Sequence, residues 1–271
     1  MPDAEWMVEI PHHFIGSQPL ERAISAGEYG VMGRETIARI TSRGRLPIVV
    51  GGSGLYVRAL IEGLSPTPPA SPELREQIKY QLATDGFAAL YTELQNADPE
   101  YASIVSETTP KRLIRALEVQ RLTGKSFSGW HREQKPPRWC RPLMIGLERP
   151  RAELREIIDL RTRAMVASGW LAEVETLLKI YGTFDHFPPP ANEAVGYRLL
   201  AEVIKGVRVQ SEAIDLIITS TRQFAKRQMT WFRANPETVW LLESGASAPQ
   251  IWAEQIIELW RSFARTTHEV K

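Results

Sequence analysis

The chain has 271 residues, 43% of them hydrophobic and 24% charged, with a formal net charge of +1. That mix suits a globular protein with a core of ordinary size, built as one large domain or as a core with a satellite. It excludes binding to nucleic acid driven by bulk charge, and the single cysteine, Cys140, excludes an intramolecular disulfide framework and a Cys-rich zinc site.

No apolar run approaches the ~20 residues of a membrane span. The opening "MPDAEWMVEIPHHF" carries Asp3, Glu5 and Glu9 and no basic, apolar leader, so it does not read as a signal peptide. The cytoplasm is the expected compartment. His12 and His13 follow, but adjacent histidines on an extended segment point to opposite faces and chelate one ion poorly. Packing or a hydrogen-bonded hinge is the expected role. His131, His186 and His268 form no H-x-x-E-H or H-x-E pattern, which argues against a zinc deaminase.

Residues 20–44 show helical spacing, with Ile24, Val31, Ile37 and Ile40 as candidate core positions. Leu46–Val50 is a short apolar run, expected as a buried parallel strand. It leads into Gly51, Gly52, Ser53 and Gly54, then a helix with Leu55, Ala59 and Leu60 on one side. The loop has the shape of a phosphate-binding element, yet it fits neither G-x-x-x-x-G-K-[ST] nor G-x-G-x-x-G. Helix, strand, glycine loop and helix in succession predict an α/β sheet.

Four prolines between 66 and 72 then break the pattern, and Ser71 with Pro72 predicts a helix N-cap and first position. Residues 72–130 are wholly helical in spacing: Leu74, Ile78 and Leu82, then Phe87, Leu90 and Leu94, then Leu113, Leu117 and Leu122. A strand returns within 141–149, helices follow at 151–168 and 170–180, and "TVWLLE" at 238–243 is a last strand candidate. An amphipathic helix over 251–263 closes the chain. The expected organisation is a parallel-sheet core in two parts, 1–65 and 139–271, interrupted by a helical insertion over 66–138.

The densest chemical signal is "STRQFAKRQMTWFR", residues 220–233, in a long helix opening near Ser211. Ile214, Ile218, Thr221, Ala225 and Met229 are its expected core side. Arg222, Gln223, Lys226, Arg227 and Gln228 carry anion-binding groups with no acid among them, whereas acids and bases interleave elsewhere. The stripe is either a solvated helix surface or a phosphate-facing site for nucleic acid or a diphosphate. A second cluster, Lys111, Arg112 and Arg115, stands at a helix start, where cations oppose the macrodipole. An anionic partner would offset that cost, or Glu107 and Glu118 could pair with them. Arg75, at the head of the first insertion helix, poses the same alternatives.

Taken in order, "IPHHF", "LPIVVGGSGLYVRALIEGL", "KRLIRALEVQRLTGK", "RAMVASGWLAEVETLL", "AVGYRLL" and "TRQFAKRQMTWFR" resemble the tRNA dimethylallyltransferases. The resemblance implies a P-loop-NTPase-like, nucleotide-binding (ATP-binding) core class with a helical insertion. It implies transfer of a dimethylallyl group from dimethylallyl diphosphate to the N6 amine of the adenine 3′ to the anticodon, with Mg²⁺, by a monomer. It places tRNA contacts at Ser53, Arg75, Lys111, Arg112, Leu113, Ile114, Arg115, Arg222, Gln223, Lys226, Arg227 and Gln228. Gly51, Gly52 and Gly54 become the loop that the extruded base and its backbone approach. Ser53 stands where the family usually has Thr and keeps the hydroxyl.

The same resemblance implies a first strand, a phosphate loop of the form G-P-T-A-S-G-K-[ST] and an Asp-Ser motif carrying the base, and residues 1–271 contain none of these. No catalytic residue and no metal ligand is therefore expected within them, and transfer by these residues alone is expected to fail. A tRNA- or RNA-binding module without catalysis is the alternative expectation. A small-molecule kinase of the same core class is disfavoured by the missing P-loop lysine.

Overall fold

The computed structural model describes residues 4–133, 138–189 and 191–268. The chain divides into two compact units, Arg58–Cys140 and the combined segments Met1–Val57 and Arg141–Lys271. The proline segment at 66–72 lies inside the former unit, and Pro136 and Pro137 fall outside the described residues.

The combined unit begins with a short helix α1 (Ala4–Glu9) and then α2 (Ala26–Ser42). A capping box starts α2: Glu28 N–H donates to the Ser25 hydroxyl at 3.2 Å while Ser25 N–H donates to Glu28 Oε2 at 2.8 Å. Its buried face is made of small residues, Ala26, Gly30, Gly33 and Thr36, whereas Val31 is half exposed. Ile24, Ile37 and Ile40 are half-buried. The helix instead buries the side that allows close approach.

Leu46–Val50 does not form the expected buried strand. Ile48 is 79% and Val50 90% exposed, and no backbone hydrogen bond joins residues 46–50 to a neighbour among the described residues. Pro47 removes one ladder donor, and an extended segment becomes a strand only when another strand pairs with it. The glycine loop follows, and Ser53 O accepts from Tyr56 N–H and Val57 N–H to open α3 (Gly54–Ile61), in which Ala59 and Leu60 are buried but Leu55 is exposed.

Among its described residues the second unit has helices and no strand: α4 (Pro72–Thr84), α5 (Gly86–Ala97), α6 (Pro99–Ala102), α7 (Pro110–Thr123) and α8 (Phe127–Arg132). Ser71 caps α4 by accepting from Leu74 N–H, with Pro72 in the first turn, as the sequence predicts. Ile78, Leu90, Leu94, Leu113 and Leu117 form its core, with Leu74, Leu82 and Phe87 packed against it. Leu122 is 43% exposed, so the apolar stripe of α7 stops one turn short of the expected length.

Buried Asp98 ties α6 to α8 by accepting from Tyr101 N–H, Ser128 N–H and the Ser128 hydroxyl. Burial alone would raise its pKa, but the hydrogen bonds from Ser128, Tyr101 and Phe127 outweigh it and hold the carboxyl below its ordinary value.

Back in the combined unit, β1 (Ile145–Glu148) leads to α9 (Arg151–Met165), a π-type turn over 166–170, α10 (Leu171–Tyr181) and α11 (Tyr197–Ile204). The long helix α12 (Gln210–Arg233), β2 (Val239–Leu242) and α13 (Ala248–His268) complete it. β1 and β2 pair in parallel, Ile145 opposite Val239 and Glu148 opposite Leu242. The α/β class is thus realised with a two-stranded sheet among the described residues. Trp170, Val174, Phe187, Leu200, Ala201 and Ile217 make the core on which α10, α11 and α12 converge. Ala213, Ile217 and Ile218 are the buried residues of α12, while the expected Ile214, Thr221, Ala225 and Met229 are half-buried.

Candidate nucleic-acid interface

The glycine loop and the C-terminal half of α12 meet directly. Gln228 Nε2 donates to the Gly52 carbonyl at 2.9 Å. A Cβ on Gly52 would lie 2.2 Å from that nitrogen, and one on Gly54 would lie 2.2 Å from Trp231 Cδ2. The rigid Trp231 ring therefore requires glycine at 54, whereas at 52 a Cβ would displace the flexible Gln228 amide from the loop. Gly51 has open space around its Cβ position and Ser53 is exposed, so the outer rim of the loop remains accessible.

The polar stripe divides three ways. Arg222 is half-buried, with Nη2 3.4 Å from the Arg155 carbonyl and a buried Nε that has no hydrogen-bond partner. Gln228 turns to the loop. Gln223, Lys226 and Arg227 are exposed, and with Thr230 and Trp231 they line one shallow depression. Phe224 and Trp231 are 44% and 39% exposed, and the Arg227 guanidinium lies 5.8 Å from the Phe224 ring centre.

Cations interleaved with accessible aromatic rings suit a nucleic-acid backbone and its unstacked bases. Charge pattern alone does not reveal the aromatic pair. Its signal was the seven-residue spacing of Phe224 and Trp231, which keeps both beside the cations.

The second unit treats its basic residues differently. Glu118 is fully buried; its Oε2 accepts from Arg115 at 2.6 Å and Arg75 at 2.9 Å, and its Oε1 accepts from Ser71 N–H. Arg115 also donates to the Pro68 carbonyl and the Thr67 hydroxyl. Burial would raise the Glu118 pKa, but hydrogen bonds and charge from Arg115 and Arg75 overcome it and lower the value. Arg75 and Arg115 thus anchor the proline segment. Leu113 and Ile114 are buried in the core, so α7 presents Lys111 and Arg112 outward, with Arg112 also donating to the Ile104 carbonyl.

His12 and His13 are both exposed, and His12 Nδ1 lies 2.7 Å from the Ile10 carbonyl. Among the described residues, no group of three or more His, Cys, Asp or Glu side chains is disposed to hold a metal ion. Mg²⁺ commonly binds through substrate phosphates with one or two protein carboxylates, so a group of three is not what it requires.

Residues 1–235 match the family profile described as IPP transferase. The chain belongs to the IPP transferase family. It is 40% identical over 244 residues to a tRNA dimethylallyltransferase of Stenotrophomonas maltophilia, covering 88% of this chain and 77% of that protein. It is 37% identical over 258 residues to a tRNA dimethylallyltransferase of Salinibacter ruber, covering 95% and 77%.

Among solved structures, the full-length tRNA isopentenylpyrophosphate transferase of Bacillus halodurans superposes with a TM-score of 0.62 at 28% identity, covering 98% of this chain and 82% of that one. Membership in the IPP transferases makes the chain a prenyltransferase by family. The matched span contains both the glycine loop and α12. Among the described residues, no helix is long and apolar enough to cross a membrane.

Proposed function

We propose that this chain serves dimethylallyl transfer to tRNA, from dimethylallyl diphosphate to the N6 amine of the adenine 3′ to the anticodon, as a cytoplasmic monomer with Mg²⁺. In that reaction the amine nitrogen bonds to the first carbon of the dimethylallyl group as its bond to the diphosphate breaks, and the amine proton passes to a base. The observation that carries the reading is the exposed face of Gln223, Lys226 and Arg227, flanked by Phe224 and Trp231, on the helix whose Gln228 holds the Gly52 carbonyl of the glycine loop. Phosphates lie against the cations, the extruded adenine approaches Gly51 and Ser53, and Lys111 and Arg112 supply further phosphate contacts. Arg222 and Gln228 support the α12 surface through the partners described above; within Arg58–Cys140, Arg75, Arg115, Leu113 and Ile114 support the helix that carries Lys111 and Arg112.

The test is tRNA affinity against salt. Lys226→Ala and Arg227→Ala should each weaken binding and lower the log–log salt slope by about one unit. Unchanged affinity per folded molecule would overturn the reading.

A second reading, tRNA binding without transfer by residues 1–271 alone, rests on the same exposed face, which offers cations, an amide and aromatic rings for phosphates and bases. Incubation with substrate tRNA, Mg²⁺ and labelled dimethylallyl diphosphate, with the Stenotrophomonas relative as positive control, separates the two. Label transferred by both proteins would refute the second reading.

A further inference from the structure

The geometry points to Gln228 as a positioning residue that acts on RNA binding through the glycine loop, by holding the Gly52 carbonyl, and not through its own contact with RNA. The inference rests on the proposed tRNA-binding role of this face. Gln228 is half-buried, and its amide nitrogen is satisfied by the Gly52 carbonyl at 2.9 Å, a residue 176 positions away. The loop needs such a hold. Gly51–Ser53 are exposed, no backbone hydrogen bond joins residues 46–50 to a neighbour among the described residues, and glycines supply no side chains of their own.

Gln228 lies one residue beyond Arg227 and two beyond Lys226 on α12. Whatever fixes it against Gly52 therefore fixes the distance between the exposed cations and the Ser53 hydroxyl. Trp231, one turn further on, fills the space over Gly54 and closes the same seam. An RNA that uses both surfaces needs them in register, and a loose loop must be ordered at the expense of affinity.

The two sides of the contact offer a reciprocal test. Gln228→Met keeps the length and removes the donor. Gly52→Ala introduces a Cβ 2.2 Å from the Gln228 amide nitrogen, the movable end of a flexible side chain, at a position without a left-handed φ; it should displace that amide without breaking the backbone. Each variant should weaken tRNA binding about fivefold, the worth of one ordinary hydrogen bond. The double variant should be no weaker than either single one, because both remove the same contact. Salt slopes should match the wild type, since no phosphate contact is lost.

Backbone order parameters of residues 51–54 without RNA supply the independent readout, and they should fall in both single variants. Unchanged order parameters in Gln228→Met overturn the proposal whatever happens to affinity, and so do losses that add in the double variant. If the wild-type chain does not bind tRNA, the functional reading fails, and with it the RNA role of Gln228; a loosened loop would then show a purely structural contact.

Discussion

Arg115 Nη1 lies 2.6 Å from Oε2 of Glu118, one helical turn away on α7, and that carboxylate is wholly buried. Arg75 reaches the same oxygen from α4, so two cations that the sequence could assign to RNA are fastened to one internal anion. Removing Glu118 should leave both guanidiniums and Ser71 N–H short of their partner. Glu118→Ala is expected to destabilise the chain by about 3 kcal/mol, the lower end for a broken buried pair because Arg75 and Arg115 keep partial access to water. Urea unfolding of the whole chain measures it, and a loss below about 1 kcal/mol would show the triad to be ornamental.

The same anion makes the second unit acid-sensitive. The Glu118 and Asp98 carboxyls are both held below their ordinary values, so the unfolded chain takes up protons before the folded one as pH falls. Their stabilisation is complete above the ordinary carboxylate range and is lost as pH drops through it. Thermal unfolding from pH 6 to pH 3 should therefore fall less steeply in Asp98→Asn than in the wild type.

Tyr197 gives the opposite limb. Burial, followed by its hydrogen bond to Glu173 at 2.5 Å and that carboxylate's charge, pushes the phenol up to about 12. Between the ordinary value of 10 and 12 the unfolded chain has released a proton that the folded chain retains, so stability declines as pH rises through this window. Tyr197→Phe should be less stable at pH 8 and should lose less between pH 9.5 and pH 11. Parallel curves for the two proteins would contradict the assignment.

Gly196 sits at φ +103°, and a Cβ there would lie 2.5 Å from Trp170 Cη2. Backbone strain and overpacking act together, so Gly196→Ala should cost about 3 kcal/mol. Adding Trp170→Phe removes the clash but not the strain, and should recover only part of the loss. Full recovery in a denaturation series would mean the backbone conformation is not what demands glycine.

Arg222 and Lys226 share a helix face at one-turn spacing but differ in what replacing them should do. Arg222 is half-buried, with Nη2 near the Arg155 carbonyl of α9, whereas Lys226 is exposed. Arg222→Ala should therefore lower stability by about 1 kcal/mol through lost packing, and Lys226→Ala by less than about 0.5. Equal shifts in melting temperature would show that both are surface charges.

Features that depend only on neighbours along the chain are legible in the amino-acid order. The cap at Ser71 and Pro72, the apolar spacing of Ile78, Leu90, Leu94, Leu113 and Leu117, the strands at 145–148 and 239–242 and the acid-free stripe on α12 all follow from local periodicity and capping. Tertiary structure decided everything that depends on a distant partner. Leu46–Val50 is as apolar as a buried strand but has no ladder, because pairing is a property of two segments and not one. Arg75 and Arg115 look like Lys226 and Arg227 in the sequence, and only the burial of Glu118 separates a structural cation from an accessible one. Gln228 and Gly52 are 176 residues apart, and no local pattern foretells a hydrogen bond that exists only once α12 and the glycine loop are folded against each other.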